Sequence, residues 1–206
     1  MRKFVYTKNG EPSYTVVPSD DIDLADNISV FEVPFSEDES YIYENTFYKN
    51  GQRFEREPRP TDWHEWDSTS ESWLPNLDAA RAAKKAEIET ERMQRINAPL
   101  IYDGKVLDAD QTARDNLKAK LEEVRERIRL NMPMAPELLV WRDNSNVTHS
   151  WPTIEAYHDW LAGYAVAMSD RGTRCYACSW HHKDTLGQLS VLEDITNYNL
   201  SQGWPE

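Results

Sequence analysis

The sequence predicts an α+β fold: a β-rich amino-terminal domain, a connecting helix and a small α+β carboxy-terminal domain. Three observations predict it. The first 60 residues hold β-prone runs joined by Asn9-Gly10 and Asn50-Gly51. Residues 77–96 are Ala-rich and charged, with no Gly or Pro. Beyond them, hairpin signals alternate with amphipathic helical periodicity. The expected divisions are residues 1–75, 76–98 and 99–206.

In chain order, Phe4-Val5-Tyr6 leads through Asn9-Gly10 to residues 14–17. Tyr41-Ile42-Tyr43 and Phe47-Tyr48 lead through Asn50-Gly51 to Arg53-Phe54. Asn-Gly tolerates positive φ at both centres of a tight turn, so each pair predicts a hairpin and Tyr41-Ile42-Tyr43 reads as strand. Residues 19–27 read as an acidic loop. Pro58-Arg59-Pro60 cannot continue a ladder and marks a boundary. Trp63, Trp66 and Trp73 follow, with a polar turn at residues 67–72, which predicts a small aromatic hairpin ended by Pro75.

Residues 77–96 are helical by propensity. Their apolar members are mostly Ala, with Ile88, Met93 and Ile96, so the buried face is thin. Such a helix, about 30 Å long, serves as a connector or a coiled-coil strand. Asp103-Gly104 then predicts a hairpin. Asp108 is expected to cap the next helix, with Gln111 completing a capping box. Ala113, Leu117, Leu121, Val124 and Ile128 give that helix its stripe, and Leu117, Leu121, Val124 and Ile128 are expected as a buried seam near Trp160, Leu161 and Tyr164. Asn131, Pro133 and Pro136 end it. Residues 138–142 read as a strand, 143–146 as a turn and 147–150 as the return strand. Trp151-Pro152-Thr153 opens a helical stretch from Ile154 to about Leu189, expected to break or bend at Gly163 and Gly172.

The formal charge is −13, from 23 Lys and Arg against 36 Asp and Glu. Such a surface repels a phosphate backbone, so no nucleic-acid partner is expected. Residues 9–48 hold ten acidic side chains and no Lys or Arg. They read as a solvated acidic surface before a patch for a basic partner. No apolar leader follows Met1-Arg2-Lys3 and no window approaches a membrane span, so a membrane partner is not expected either. With only Cys175 and Cys178, the chain reads as folded in a reducing cytosol.

No catalytic residues are assigned: there is no Gly-x-Ser-x-Gly elbow, no phosphate-cradling Gly-rich loop, and none of the five His lies in a catalytic motif. No cofactor is expected. Cys175-x-x-Cys178-x-x-His181-His182 is the sharpest metal candidate, since thiolates and imidazoles ligate zinc. On a helix, however, Cys175, Cys178 and His182 share one stripe, and Cys packs as a small core residue, which is the preferred reading. Asp20, Asp21, Asp23 and Asp26 offer oxygen ligands but lack the Gly and distal Glu of an EF-hand loop. Trp63, Trp66, Trp73 and Trp204 could stack on sugar rings, but nothing orders them as a platform.

The run Trp66-x6-Trp73-x7-Arg81-x2-Lys84-x3-Ile88 resembles the junction of many phage tail-fibre assembly proteins, where an aromatic hairpin enters an Ala-rich helix bearing Arg and Lys. The chain from Ile101-Tyr-Asp-Gly-Lys-Val-Leu-Asp108, through Val140-Trp-Arg-Asp-Asn144 and Val147-Thr148, to the Trp151-Pro152 helix and Gly203-Trp204-Pro205 is similar to a phage tail-associated domain of unknown function. The resemblance covers residues 63–206. It implies a tail-fibre assembly protein, a chaperone of fibre folding or trimerisation that stays on the fibre in one variant, and it carries no catalytic residues.

The implied partner is the phage tail-fibre protein, with self-association through the connecting helix as a second contact. The expected location is the host cytoplasm during assembly, or the virion tail if the protein stays on the fibre. Residues 1–75 are expected to bind the partner, with Trp63, Trp66 and Trp73 at or under that surface. The alternative is a permanent component of the fibre or baseplate. A carbohydrate-binding module and an unrecognised enzyme rank below both.

Overall fold

The computed structural model describes residues 2–6, 12–16, 29–33, 38–49 and 52–205. The fold is mixed α+β, with small hairpins and a helix-rich carboxy-terminal part. Contacts divide the chain into two compact units, Met1–Ala80 and Arg81–Glu206.

In the first unit, β1 (Arg2–Tyr6) is the centre of a three-stranded antiparallel sheet, between β2 (Pro12–Val16) and β3 (Ser29–Val33). The sequence reading passed over β3, although Ser29-Val30-Phe31-Glu32-Val33 is rich in strand formers. Asn9-Gly10, the loop at residues 19–27 with Asp20, Asp21, Asp23 and Asp26, and Asn50-Gly51 lie outside the described residues.

Tyr41-Ile42-Tyr43 is helical, against expectation, within α1 (Glu39–Asn45). Asp38 caps that helix, its carboxylate accepting from the Ser40 N–H, and this local bond overrides the strand propensity of Tyr and Ile. The Thr46 hydroxyl donates to the Ile42 carbonyl at 2.7 Å, closing the helix as β4 (Thr46–Lys49) begins. β4 pairs with β5 (Gln52–Glu55), placing Phe47 opposite Phe54. β6 (His64–Asp67) pairs with β7 (Ser72–Pro75), placing Trp66 opposite Trp73. The Asp67 carboxylate accepts from the N–H groups of Thr69 and Ser70 and from the Ser70 hydroxyl, and these bonds hold it below the usual carboxylate range.

Helix α2 (Leu77–Asn97) crosses from one unit into the other, and only Ala80 and Ile88 on it are buried. Its thin face was legible in advance.

In the second unit, β8 (Leu100–Tyr102) and β9 (Lys105–Leu107) form a hairpin whose turn has Asp103 at φ 51° and Gly104 at φ 70°, the two left-handed residues of a type I′ turn. α3 (Gln111–Arg129) is capped by Asp110, not Asp108: the Asp110 carboxylate accepts from Ala113 N–H at 2.8 Å. Asp108 binds elsewhere, its carboxylate to the Asn144 amide and its carbonyl to the Tyr164 hydroxyl. Past Arg129, Asn131 turns left-handed at φ 54°. Asn131 and Met132 donate to the Ile128 and Arg127 carbonyls, the bond pair of a Schellman closure.

A 3₁₀ turn (Pro136–Leu138) occupies the start of the expected strand, so β10 begins at Val140 (Val140–Arg142) and pairs with β11 (Thr148–Ser150). Asp143 organises the turn between them, accepting from His149 Nε2 and from the N–H groups of Val147 and Ser145, so its carboxyl is held low.

Helix α4 (Ile154–Gln188), capped by Thr153, runs through Gly163 and Gly172 without a break. Glycine weakens a helix interior by only about 1 kcal/mol, and Gly163 has a packing reason: a Cβ there would sit 1.9 Å from the Tyr102 hydroxyl oxygen. The core joins Leu107, Ala109, Leu117 and Val124 to Tyr157, Trp160, Leu161 and Tyr164, with Leu121 half-buried against it. Ile128 is not part of this seam; it lies in the last turn of α3 and is exposed. The carbonyls at the end of α2 are covered by two arginines. Arg171, buried on α4, donates to the Ile96, Ala98 and Pro99 carbonyls, and Arg114 of α3 to the Ile96 carbonyl and Asn97 Oδ1. Cations suit that end of a helix dipole. α5 (Leu192–Thr196) follows, burying Ile195. Among the described residues, no helix is long and apolar enough to cross a membrane.

Candidate functional site

The first unit arranges its rings as a ladder. Phe54 stacks on Phe47 with centroids 5.5 Å apart, Phe47 lies 5.2 Å from Trp66, and Trp66 meets Trp73 edge-on at 5.5 Å. The two hairpin registers create this order by setting each aromatic opposite its partner. Trp73 donates its indole N–H to the Glu57 carbonyl at 2.6 Å. The indole N–H of Trp66 is shielded from solvent and meets no acceptor among the described residues. Buried donors are normally paired.

Two arginines cap the ladder. The Arg56 guanidinium lies 5.0 Å from the Trp66 ring centre and 6.0 Å from that of Trp73, and Arg59 lies 5.7 Å from Trp73. Arg59 also donates to the Asp62 and His64 carbonyls, which fixes the crossing into β6. The two arginines and Trp66 and Trp73 border an open cleft of about 690 Å³ with Asn45, His64 and three carboxylate residues. Indole faces and guanidinium planes bind planar and polar groups by stacking and hydrogen bonding. Of the three tryptophans, Trp66 and Trp73 meet at this cleft; Trp63 does not line it and is half-buried, its carbonyl accepting from Asn76 N–H. Sequence reasoning missed Arg56 and Arg59 here. Their spacing to Trp66 and Trp73 carries no periodic signal; the cue was that they flank Pro58.

The Cys/His stripe is part of a packing arrangement. Cys175 is buried and Cys178 half-buried, and burial pushes both thiols up, away from the thiolate a metal needs. His182 Nε2 donates to the Gln202 carbonyl at 3.0 Å, and its Nδ1 pairs with the Tyr198 hydroxyl at 2.9 Å, so both ring nitrogens are engaged. Trp204 is buried over His182, with centroids 5.3 Å apart, and donates to the Leu200 carbonyl, so no face of it is free for a sugar. Among the described residues, no group of three or more His, Cys, Asp or Glu is placed to hold a metal ion.

A family model described as "Domain of unknown function (DUF4376)" matches residues 79–199. No curated protein and no solved structure matches the chain.

Proposed function

The chain belongs to the DUF4376 family, and on that footing we propose that it is a phage tail-fibre assembly protein, a chaperone of fibre folding or trimerisation. The proposal rests on the resemblance of residues 63–206 to such proteins. The observation that carries it is the arginine-capped Trp66–Trp73 pair beside an open cleft. Trp and Arg dominate binding energy at interfaces.

The hairpins add a second support. β4–β5 and β6–β7 are two-stranded, so among the described residues each strand keeps an unpaired edge that can accept a further strand. Fibre chains with interwoven strands form non-local pairings slowly and expose apolar edges meanwhile, which is the need such a surface meets. In this reading, residues 1–75 bind the fibre, residues 76–98 connect and offer a face for self-association, and residues 99–206 form the tail-associated domain. The site of action is the host cytoplasm during assembly.

The test is co-expression of the fibre with the full-length protein or with a Trp66→Ala/Trp73→Ala variant, reading soluble trimer by size exclusion. The wild type is expected to raise the trimer yield. The variant, folded by circular dichroism, is expected to lose that effect. Equal yields with wild type, variant and no added protein would overturn the proposal. Mass spectrometry of purified virions decides between the chaperone, absent from them, and a permanent fibre or baseplate component, present stoichiometrically.

A further inference from the structure

Of the two glycines well inside α4, packing accounts for Gly163 but not for Gly172. A Cβ at Gly172 would meet nothing within 4 Å. Glycine destabilises a helix interior relative to alanine, and no neighbour among the described residues requires it there. Gly187 also has open space, but it sits in the last turn, where the helix is already ending.

The space over Gly172 belongs to a groove of about 530 Å³ between α2, α3 and α4. That volume falls in the range of about 300–1,000 Å³ typical of ligand pockets. Its apolar lining includes Met93, Ile96, Leu121, Met168 and Tyr176, of which Met93 and Tyr176 are exposed. Its charged members are Arg114 and Lys118, and no carboxylate lines it. In a chain with 36 acidic and 23 basic side chains, this groove inverts the average surface. The bonds of Arg114, and those of Arg171 close by, go to neutral acceptors, and neither arginine forms an ion pair among the described residues; the Asp108 and Asp110 carboxylates act on the same neighbourhood through Tyr164 but do not line the groove. Lys118 is exposed.

We propose that this groove receives the apolar face of an amphipathic helix from a partner protein, a leucine-sized side chain seating over Gly172 and the partner's carboxylates facing Arg114 and Lys118. Methionine and tyrosine edges adapt to such anchors, and apolar residues at helical spacing are what a groove between helices selects. A second copy of this chain, docked through the same face, would set Arg114 and Lys118 against their own counterparts, which like-charge repulsion opposes. Nucleic acid would leave the apolar lining uncovered. The groove is distinct from the tryptophan cleft, and the inference stands whether or not the fibre-assembly reading holds.

The probes are two synthetic helices of about 18 residues with the same leucine face, one flanked by Glu and the other by Lys. Each is titrated into the full-length protein, reading peptide anisotropy and the methyl resonances of Met93 and Met168. The Glu peptide is expected to shift both methyls and to bind about tenfold or more tightly than the Lys peptide. Lys118→Glu, a change at an exposed position, is expected to reverse that preference. Gly172→Leu should fill the groove and weaken the Glu peptide about tenfold or more while the protein stays folded. Gly172→Ala should raise the melting temperature and retain most binding. No methyl shift, equal affinity for the two peptides, or unchanged binding after Lys118→Glu would overturn the proposal. So would methyl shifts that depend on protein concentration without peptide, which would assign the face to a second copy.

Discussion

Aromatic rings pack at similar separations in both units: 5.2–5.5 Å among Phe47, Phe54, Trp66 and Trp73, and 4.4–6.2 Å among Tyr102, Trp141, Trp151, Tyr157, Trp160 and Tyr164. Their surroundings differ. In the second unit Trp160, Tyr157 and Tyr164 are buried, and their polar tips donate to the Asp103 carboxylate and to the Val140 and Asp108 carbonyls. In the first, Trp66 and Trp73 are half-buried, arginines cover their faces, and one indole N–H has no acceptor among the described residues. Ring contact alone therefore does not make a core. A core also needs polar tips satisfied from within, and α4 supplies that by presenting three rings to two hairpins at once.

The largest expected effect is Trp160→Ala, at about 3–5 kcal/mol in urea unfolding. Trp73→Ala should cost less than half of that, since its ring is part-exposed. Equal costs would break the contrast. Next comes the glycine pair. Gly163→Ala should destabilise by about 1–3 kcal/mol through collision with the Tyr102 hydroxyl. Gly172→Ala should stabilise by about 0.5–1 kcal/mol.

Alkaline unfolding sharpens the contrast further. Burial, then the nearby Glu123 charge, pushes the Tyr157 hydroxyl from 10.0 up to about 12. The folded state then keeps a proton that the unfolded chain releases. Stability from this group is complete below pH 10.0 and falls as pH rises towards about 12. Tyr157→Phe should flatten that fall in a pH-jump denaturation series. The smallest effect is at the exposed turn. The Asp67 carboxyl is depressed by its bonds to Ser70 and Thr69, so its contribution is present above the ordinary value of 3.8 and lost as pH drops through the folded value. Asp67→Asn should remove the acid dependence of the Trp66–Trp73 fluorescence without unfolding the second unit.

Legibility in the sequence followed the range of the interaction. Asp103-Gly104, the Trp66–Trp73 hairpin and the α3 stripe were readable because turn chemistry and periodicity are local. Tyr41-Ile42-Tyr43 misled because one cap bond from Asp38 outweighed propensity. Asp108 and Asp110 both suit a cap, and what separates them is distant: Asn144 and Tyr164 engage Asp108. Gly163 looked like a breaker because Tyr102, which explains it, lies far away in sequence. At the candidate site the tryptophans were foreseen and the arginines were not, since cation–π stacking has no sequence period.

Helix α4 carries two packing groups on one rod of 35 residues, about 52 Å long. Tyr157 to Tyr164 face the aromatic core, and Cys175 to Leu186 include the side chains that meet the tail. Because every residue turns the helix by about 100°, the segment between the groups works as a phase spacer. Deleting one residue there would swing His182 away from Trp204 and Tyr198 while leaving the rings from Tyr157 to Tyr164 in place. Removing seven, close to two whole turns, would nearly restore the angle. Tolerance to length change in this stretch should therefore have a periodic part set by the pitch of the helix, on top of the cost of losing Arg171 wherever a deletion removes its bonds to the end of α2.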